Sequence, residues 1–257
     1  MTAPEPYFAD EHVQLFHGDM RELLPELAVQ ADACVTDPPY GETALAWDRW
    51  PDGWPALVAE YTNSMWCFGS MRMFGLHWQE FTGAAWRFSQ DVVWRKPFGS
   101  GFQADRFRRV HEHAVFWYQG AWKAVHHDVP RVNVDVKRTY SVHRPSSRRT
   151  VHMGTAGDST WVDDGTRLTE SVIEARTLFR RGAIHPTQKP EAILAPLIEY
   201  ATPDGGLVLD PFAGSASTLL TARTLGRRAV GIEASEEYCE RAAKRLAVQD
   251  LFTGSAS

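Results

Sequence analysis

The chain is poor in cysteine. Cys34, Cys67 and Cys239 are scattered through 257 residues, without the paired spacing that holds zinc. An odd, sparse set points to a reducing cytoplasm rather than a disulfide framework. No apolar run is long enough to cross a bilayer, and the N-terminus has no charged-then-apolar leader pattern, so no membrane partner is expected. No G-x-G-x-x-G turn occurs, and no lysine follows a glycine-rich loop in the Walker manner. That disfavours a pyrophosphate cofactor against a nucleoside without phosphates. Excess positive charge is also missing: the formal net charge of −5 argues against nonspecific coating of nucleic acid, but leaves room for a local basic patch. Internal repeats and low-complexity tracts are absent.

What is present starts with Asp37-Pro38-Pro39-Tyr40, which follows the apolar run Ala33 to Thr36. Two prolines fix φ and remove two N–H donors, leaving backbone carbonyls as acceptors. Asp37 adds a charged acceptor and Tyr40 a flat face. Such a pocket suits a planar ring with an exocyclic amine; the plainer alternative is a proline-rich turn after a strand. Ahead of it, Val13 to Phe16 reads as a strand, His17-Gly18-Asp19 as its end, and Met20 to Leu27 as a helix, one half-unit of a parallel α/β sheet. Gly41 to Trp54 reads either as a mobile loop over the pocket or as a surface loop pinned by its tryptophans.

A helix is expected over Pro55–Asn63, a strand over Ser64–Gly69, a helix over Met71–Phe81, and a strand over Phe88–Trp94 ended by Arg95-Lys96-Pro97. Phe98 to Arg109 reads as a basic, glycine-containing loop. His111-Glu112-His113 then leads into a strand through Tyr118, and its spacing places no two ligands one helical turn apart, so a metal is not expected. From 120 to about 182 the apolar periodicity stops. Lys123, Arg131, Lys137, Arg138, Arg144, Arg148 and Arg149 face only Asp128 and Asp135 over that stretch to position 150. This local reversal of sign is the best candidate for a nucleic-acid surface; the alternative is a solvated insertion. A helix follows over Glu191–Ala201, with Pro196 expected to kink it or end it early.

Residues 207 to 233 read as one βαβ unit: strand Leu207–Asp210, the small-residue turn Pro211 to Ser217, a helix, and a strand ending at Glu233. An acid about twenty residues past such a turn commonly receives ribose hydroxyls. Strand-end acids suit an amine-bearing or cationic ligand better than a phosphate. S-adenosylmethionine combines ribose hydroxyls, an adenine amine, an ammonium and a sulfonium.

The ordered set Asp37-Pro38-Pro39-Tyr40, His185 to Pro190 and Asp210 to Thr218, with a basic segment between, resembles the amino-type DNA methyltransferases of the β group. The resemblance spans about positions 13 to 247. It implies an α/β, Rossmann-like methyltransferase sheet, mostly parallel with helices on both faces. It divides the chain into a catalytic half (1–119), an inserted target-recognition segment (120–182) and a cofactor-binding half (183–257). It makes Asp37, Pro38, Pro39 and Tyr40 the catalytic tetrapeptide. Asp37 and the Pro38 carbonyl would hold the target amine, and Tyr40 would stack on an extruded base. S-adenosylmethionine would be held by the turn of Asp210, Phe212, Ala213, Gly214, Ser215 and Ser217, by Glu233 at the ribose, by Asp19 at the adenine amine, by Asp37, and by Thr187 and Lys189 near the methionine end. The implied reaction is methylation of adenine N6 in double-stranded DNA. Cytosine N4 is the close alternative; RNA or protein methylation and a silent DNA-binding module are more distant ones. A homodimer and a restriction endonuclease are the protein partners it suggests. The family usually has glycine where this chain has Ala216, so that turn departs from the pattern.

Overall fold

The computed structural model describes residues 4–45, 47–100, 104–133, 139–142, 159–162, 165–176 and 188–253. Contacts divide the chain into two compact units, one of residues 1–128 and 170–257, the other Val129–Thr169.

The larger unit is built on a nine-stranded mixed sheet. In chain order its strands are β1 (Phe8–Ala9), β2 (Val13–His17), β3 (Ala33–Thr36), β4 (Ser64–Gly69), β5 (Arg87–Ser100), β6 (Arg109–Tyr118), β11 (Val172–Glu174), β12 (Leu207–Asp210) and β13 (Arg228–Glu233). The smaller unit contributes β7 (Arg131–Asn133), β8 (Thr139–Val142), β9 (Ser159–Val162) and β10 (Thr166–Leu168), paired antiparallel as β7 with β10 and β8 with β9. The large sheet runs β1-β2-β13-β12-β3-β4-β6-β5-β11. From β2 to β4 neighbouring strands are parallel, while β6 enters antiparallel to both β4 and β5.

Each central strand is apolar on both faces, which is what a sheet covered on both sides requires. Val13, Leu15, Val35, Trp66 and Phe68 join one core cluster with α4 (Glu191–Ala201), α5 (Ser217–Thr224) and α6 (Glu236–Thr253). Their alternating neighbours Phe16, Cys34, Met65 and Cys67 join a second cluster with α1 (Met20–Leu27), α2 (Trp54–Val58) and α3 (Met71–Gly83). The period-2 pleat therefore sorts one run of sequence onto two helical layers. The fully buried tryptophans Trp54, Trp66, Trp86, Trp94 and Trp117 are packing residues. Each contributes roughly 1.5–3 kcal/mol or more by leaving water. In β13, Gly231 is required by close approach: a Cβ there would stand 2.6 Å from Leu219 Cδ2 of α5.

Several sequence expectations need correction. The strand expected over Phe88–Trp94 continues through Arg95-Lys96-Pro97 to Ser100. Pro97 is tolerated because the register with β6 shifts between Arg95 and Ser100, so the missing N–H falls at an irregularity in the ladder. Arg109 lies within β6 rather than in the preceding loop. Helix α2 ends at Val58 and does not reach Asn63. Helix α4 spans the expected Glu191–Ala201 but does not end early at Pro196, because its apolar face, including Ile193, Leu197 and Ile198, is buried strongly enough to outweigh one lost backbone bond. Residues 120–128 and 170–176 belong to the larger unit rather than to an insertion. Val125 is buried in the core, Asp128 N–H donates to the Tyr200 carbonyl, and β11 pairs with β5. Trp94 Nε1 fixes that edge by donating to the Ala175 carbonyl at 2.9 Å. Among the described residues no helix is long and apolar enough to cross a membrane.

Candidate active site

Strands β3 and β12 are parallel neighbours, so residues far apart in sequence meet at their carboxyl ends. The buried Thr36 hydroxyl donates to Asp210 Oδ1 at 2.7 Å. This one bond places the tetrapeptide after β3 beside the small-residue turn after β12. A cavity of about 720 Å³ opens there, lined by both segments, by Asp19, by Lys189 and by Glu233. Its size is that of a site for a nucleoside-sized ligand. Its position, beyond the carboxyl ends of parallel strands where the connections diverge, is the expected one for an open α/β sheet.

At the turn, main-chain donors hold the acids. Glu233 Oε2 accepts from Gly214 N–H and Oε1 from Ser235 N–H, each at 2.8 Å. Burial raises the Glu233 carboxyl above its ordinary range against those donors. Asp210 Oδ1 also accepts from Phe212 N–H at 3.2 Å, and burial pushes its pKa up to about 6 despite the hydroxyl and amide donors. Ala213 N–H donates to the Ile232 carbonyl, and Phe212 packs its ring edge-to-face on Trp54 at 5.4 Å. Arg245 of α6 supports the turn from behind, donating to the Ser215 carbonyl and the Ser217 hydroxyl. Ala216 takes φ 57° and ψ 31°, fully buried, so the departure from glycine falls at a left-handed position. Asp19 caps α1 and holds the Arg21 guanidinium, which lowers its carboxyl pKa.

At the tetrapeptide, side chains hold one another. Tyr40 Oη donates to Asp37 Oδ1 at 2.5 Å, and the Lys189 ammonium donates to Asp37 Oδ2. Lys189 is buried, lies 3.4 Å from Glu112 Oε2, and sits 5.0 Å from the centre of the Phe68 ring. Glu112 Oε1 accepts from Lys96. Burial alone would depress the Lys189 ammonium, but the Asp37 and Glu112 carboxylates outweigh it and raise its pKa. Burial would likewise raise Glu112, and the two lysines reverse that. Lys189, expected near the methionine end, therefore has its charge on the tetrapeptide. Strand β6 separates Glu112, which faces these lysines, from His113, whose Nδ1 is 2.9 Å from Asp91 Oδ2.

The loop after the tetrapeptide is pinned. Asp48, buried, accepts backbone N–H bonds from Tyr40, Gly41, Glu42 and Thr43 at 2.7 to 3.1 Å. Burial would raise its carboxyl, but the Thr43 hydroxyl and these amides hold it below the ordinary range. Trp50 stacks on His77 at 3.8 Å and donates to Glu80. For the described residues among 41–54, the contacts of Asp48 and Trp50 are those of a pinned loop. Sequence reasoning assigns no role to Asp48, Lys96 or Glu112: Lys96 reads as the end of a strand, and Asp48 as one more polar loop residue. A Trp-Asp pair soon after a two-proline turn is the available signal for Asp48.

Of the basic residues, Lys123 lies exposed in a short 3-10 turn of the larger unit, and Arg131 lies exposed in the smaller one, where its Nε donates to Thr166. Lys137, Arg138, Arg144, Arg148 and Arg149, and also Thr187, fall outside the described residues.

The model of the family described as DNA methylase, the N6/N4 class, matches residues 31–245. The chain belongs to the amino-DNA methyltransferase family. It is similar to the type II methyltransferase M.ScaI of Streptomyces caespitosus, 27% identical over 96% of this chain and 86% of that protein. It is also similar to the type II methyltransferase M2.DpnII of Streptococcus pneumoniae, 23% identical over 96% and 94%. Among solved structures, the M1.HpyAVI–SAM complex aligns with a TM-score of 0.61 at 23% identity, over 91% of this chain and 99% of that one. The cytosine-N4-specific PvuII DNA methyltransferase aligns at 0.67 and 14%, over 98% and 95%. These neighbours share the Rossmann-like methyltransferase fold with this amino-methyltransferase.

Proposed function

We propose that this methyltransferase transfers a methyl group from S-adenosylmethionine to the N6 amine of adenine in a base extruded from double-stranded DNA. The observation that carries the reading is the Thr36–Asp210 contact, which sets Asp37-Pro38-Pro39-Tyr40 on the rim of the cavity that Asp210 and Glu233 line. The residues fit the cofactor. A buried strand-end acid, Asp210, and a half-buried one, Glu233, suit a ligand with a sulfonium, an ammonium and ribose hydroxyls, and among the described residues the cavity has no glycine cradle for a pyrophosphate. Glu233 would hold the ribose, and Asp210 with the turn from Phe212 to Ser217 would hold the remainder. When bound, the cofactor supplies a methyl group activated by a sulfonium.

The chain's own residues prepare the acceptor. A target amine lies inside the duplex, and extruding its base costs a few kcal/mol. Stacking on Tyr40 returns about 1–3 kcal/mol. The amine lone pair is delocalised into the ring and weakly nucleophilic. Donation of its two protons to Asp37 and to the Pro38 carbonyl, which Pro39 cannot satisfy locally, favours the pyramidal form with the lone pair free. As positive charge grows on that nitrogen, the Asp37 carboxylate stabilises it, so orientation and fixed charge supply most of the rate. Within this reading the setting is cytoplasmic, the basic residues between 123 and 149 contact DNA, and a restriction endonuclease is the natural counterpart.

Asp rather than Ser at the head of the tetrapeptide favours adenine. The second reading, cytosine N4, is favoured by the likeness to the PvuII enzyme. Incubation with tritiated S-adenosylmethionine and mixed-sequence duplex DNA, followed by nucleoside mass spectrometry, separates them. N6-methyladenine that disappears in Asp37→Ala is expected. N4-methylcytosine would replace the first reading by the second, and label recovered only in RNA or protein would sink both.

A further inference from the structure

Both oxygens of Asp37 are engaged in this structure, one by the Tyr40 hydroxyl and the other by the Lys189 ammonium. An ammonium on this carboxylate opposes its task. It withdraws charge from the acceptor of the amine protons and stands beside a nitrogen that becomes positive during transfer. A second acceptor for the same ammonium is already built. Glu112 Oε2 is buried, makes no hydrogen bond, and lies 3.4 Å from Lys189 Nζ. Its other oxygen is fixed by Lys96, so the free oxygen is held facing the lysine. A buried carboxylate oxygen that is ion-paired but makes no hydrogen bond is under-satisfied and can still gain by closer approach of that ammonium. The Phe68 and Trp94 rings, 5.0 and 5.9 Å from Nζ, form an environment in which the ammonium can shift between two carboxylates without being solvated.

We infer that Glu112 is a positioning residue which draws Lys189 off Asp37 when the target amine arrives, so that the carboxylate is released to the amine. This rests on the amino-methyl-transfer reading above and adds a device to it. Lys96 is the anchor of the exchange: it keeps Glu112 charged and oriented.

The test compares Glu112→Gln with the double variant Glu112→Gln/Lys189→Met, in single-turnover methylation of duplex DNA and in cofactor binding by calorimetry. Glu112→Gln leaves the lysine with Asp37 as its one full counter-charge, so the methyl-transfer rate is expected to fall by tenfold or more, with cofactor Kd changed less than threefold. Removing the lysine as well frees Asp37, so the double variant is expected to be faster than the single one. A single variant at wild-type rate, or a double variant as slow as or slower than the single, overturns the role of Glu112. Wild-type protein that binds cofactor but methylates no DNA overturns the underlying reading and this inference with it. Wild-type activity with unaltered variants removes the inference alone.

Discussion

Asp210 and Glu233 on one side of the cavity, and Asp37 and Glu112 on the other, are held by different means. At the Asp210–Glu233 end the acids rest on main-chain amides and a threonine hydroxyl, groups fixed by the sheet and the following turn. At the Asp37 end the partners are long side chains, Lys189, Glu112, Lys96 and Tyr40, arriving from separate elements. Backbone donors cannot leave without unfolding a turn. An ammonium can move by rotating its stem. The first arrangement suits a ligand bound the same way in every cycle; the second suits a site whose occupant comes and goes with an extruded base.

Glu233→Ala tests that contrast most severely. Loss of the carboxylate removes two backbone acceptor bonds and the expected ribose contact. Cofactor Kd should rise about 10–100-fold, the worth of one or two charge-assisted hydrogen bonds, while duplex binding in a gel-shift assay stays within a few fold. Equal damage to both would merge the two ends into one unit. Asp48→Ala acts from the other side. Four backbone donors from residues 40–43 lose their acceptor, so Tyr40 loses its fixed position. The methylation rate should drop about tenfold, as misplacement of a positioning group does, with cofactor Kd held.

The pH dependence separates the ends by charge. The Asp210 pKa near 6 lies above that of an unfolded aspartate, so the folded chain holds this proton more tightly. Its ionised form costs stability above about pH 6, and that cost fades as pH falls through the folded value toward the ordinary carboxylate range. A cationic ligand prefers the ionised form. Calorimetry should therefore show cofactor affinity falling below about pH 6, by up to about tenfold per unit, and Asp210→Asn should flatten that slope. The smallest expected effect is at Ala216. Its left-handed φ of 57° carries a steric cost that glycine lacks. Ala216→Gly should stabilise the fold by about 1 kcal/mol, raising Tm by roughly 2–4 °C. A fall in Tm would show that the buried methyl contributes more by packing than it costs in strain.

The parts of this arrangement legible in the sequence are those written locally. Strand, acid, small-residue turn and helix are neighbours in the chain, so the local pattern alone puts Asp37, Asp210 and Glu233 at strand ends. Direct contacts across the sheet are not legible in the local pattern: Lys189 and Asp37 are 152 positions apart, and the resemblance puts both at one cofactor without pairing them to each other. Prolines mislead twice, at Pro97 and Pro196. Local rules weigh the missing donor but not the bulge or the buried helix face that makes it tolerable. The edges of the insertion escape the sequence pattern because β11 is three residues long, too short for a periodicity, and is held by pairing to β5.

The strand order has a consequence for synthesis. Strands β12 and β13 lie between β3 and β2, although they are made last. While the chain emerges, the two earliest central strands have no partner on their inner edges, and α5 and α6 are not yet available to cover them. The middle of the sheet can close only after Glu233 has left the ribosome. Folding dominated by such distant pairings is slow and leaves sticky edges exposed. A nascent amino-methyltransferase of this order is therefore unable to modify DNA until β13 has been made, and should depend on chaperone holding more than a protein whose strands pair as they appear.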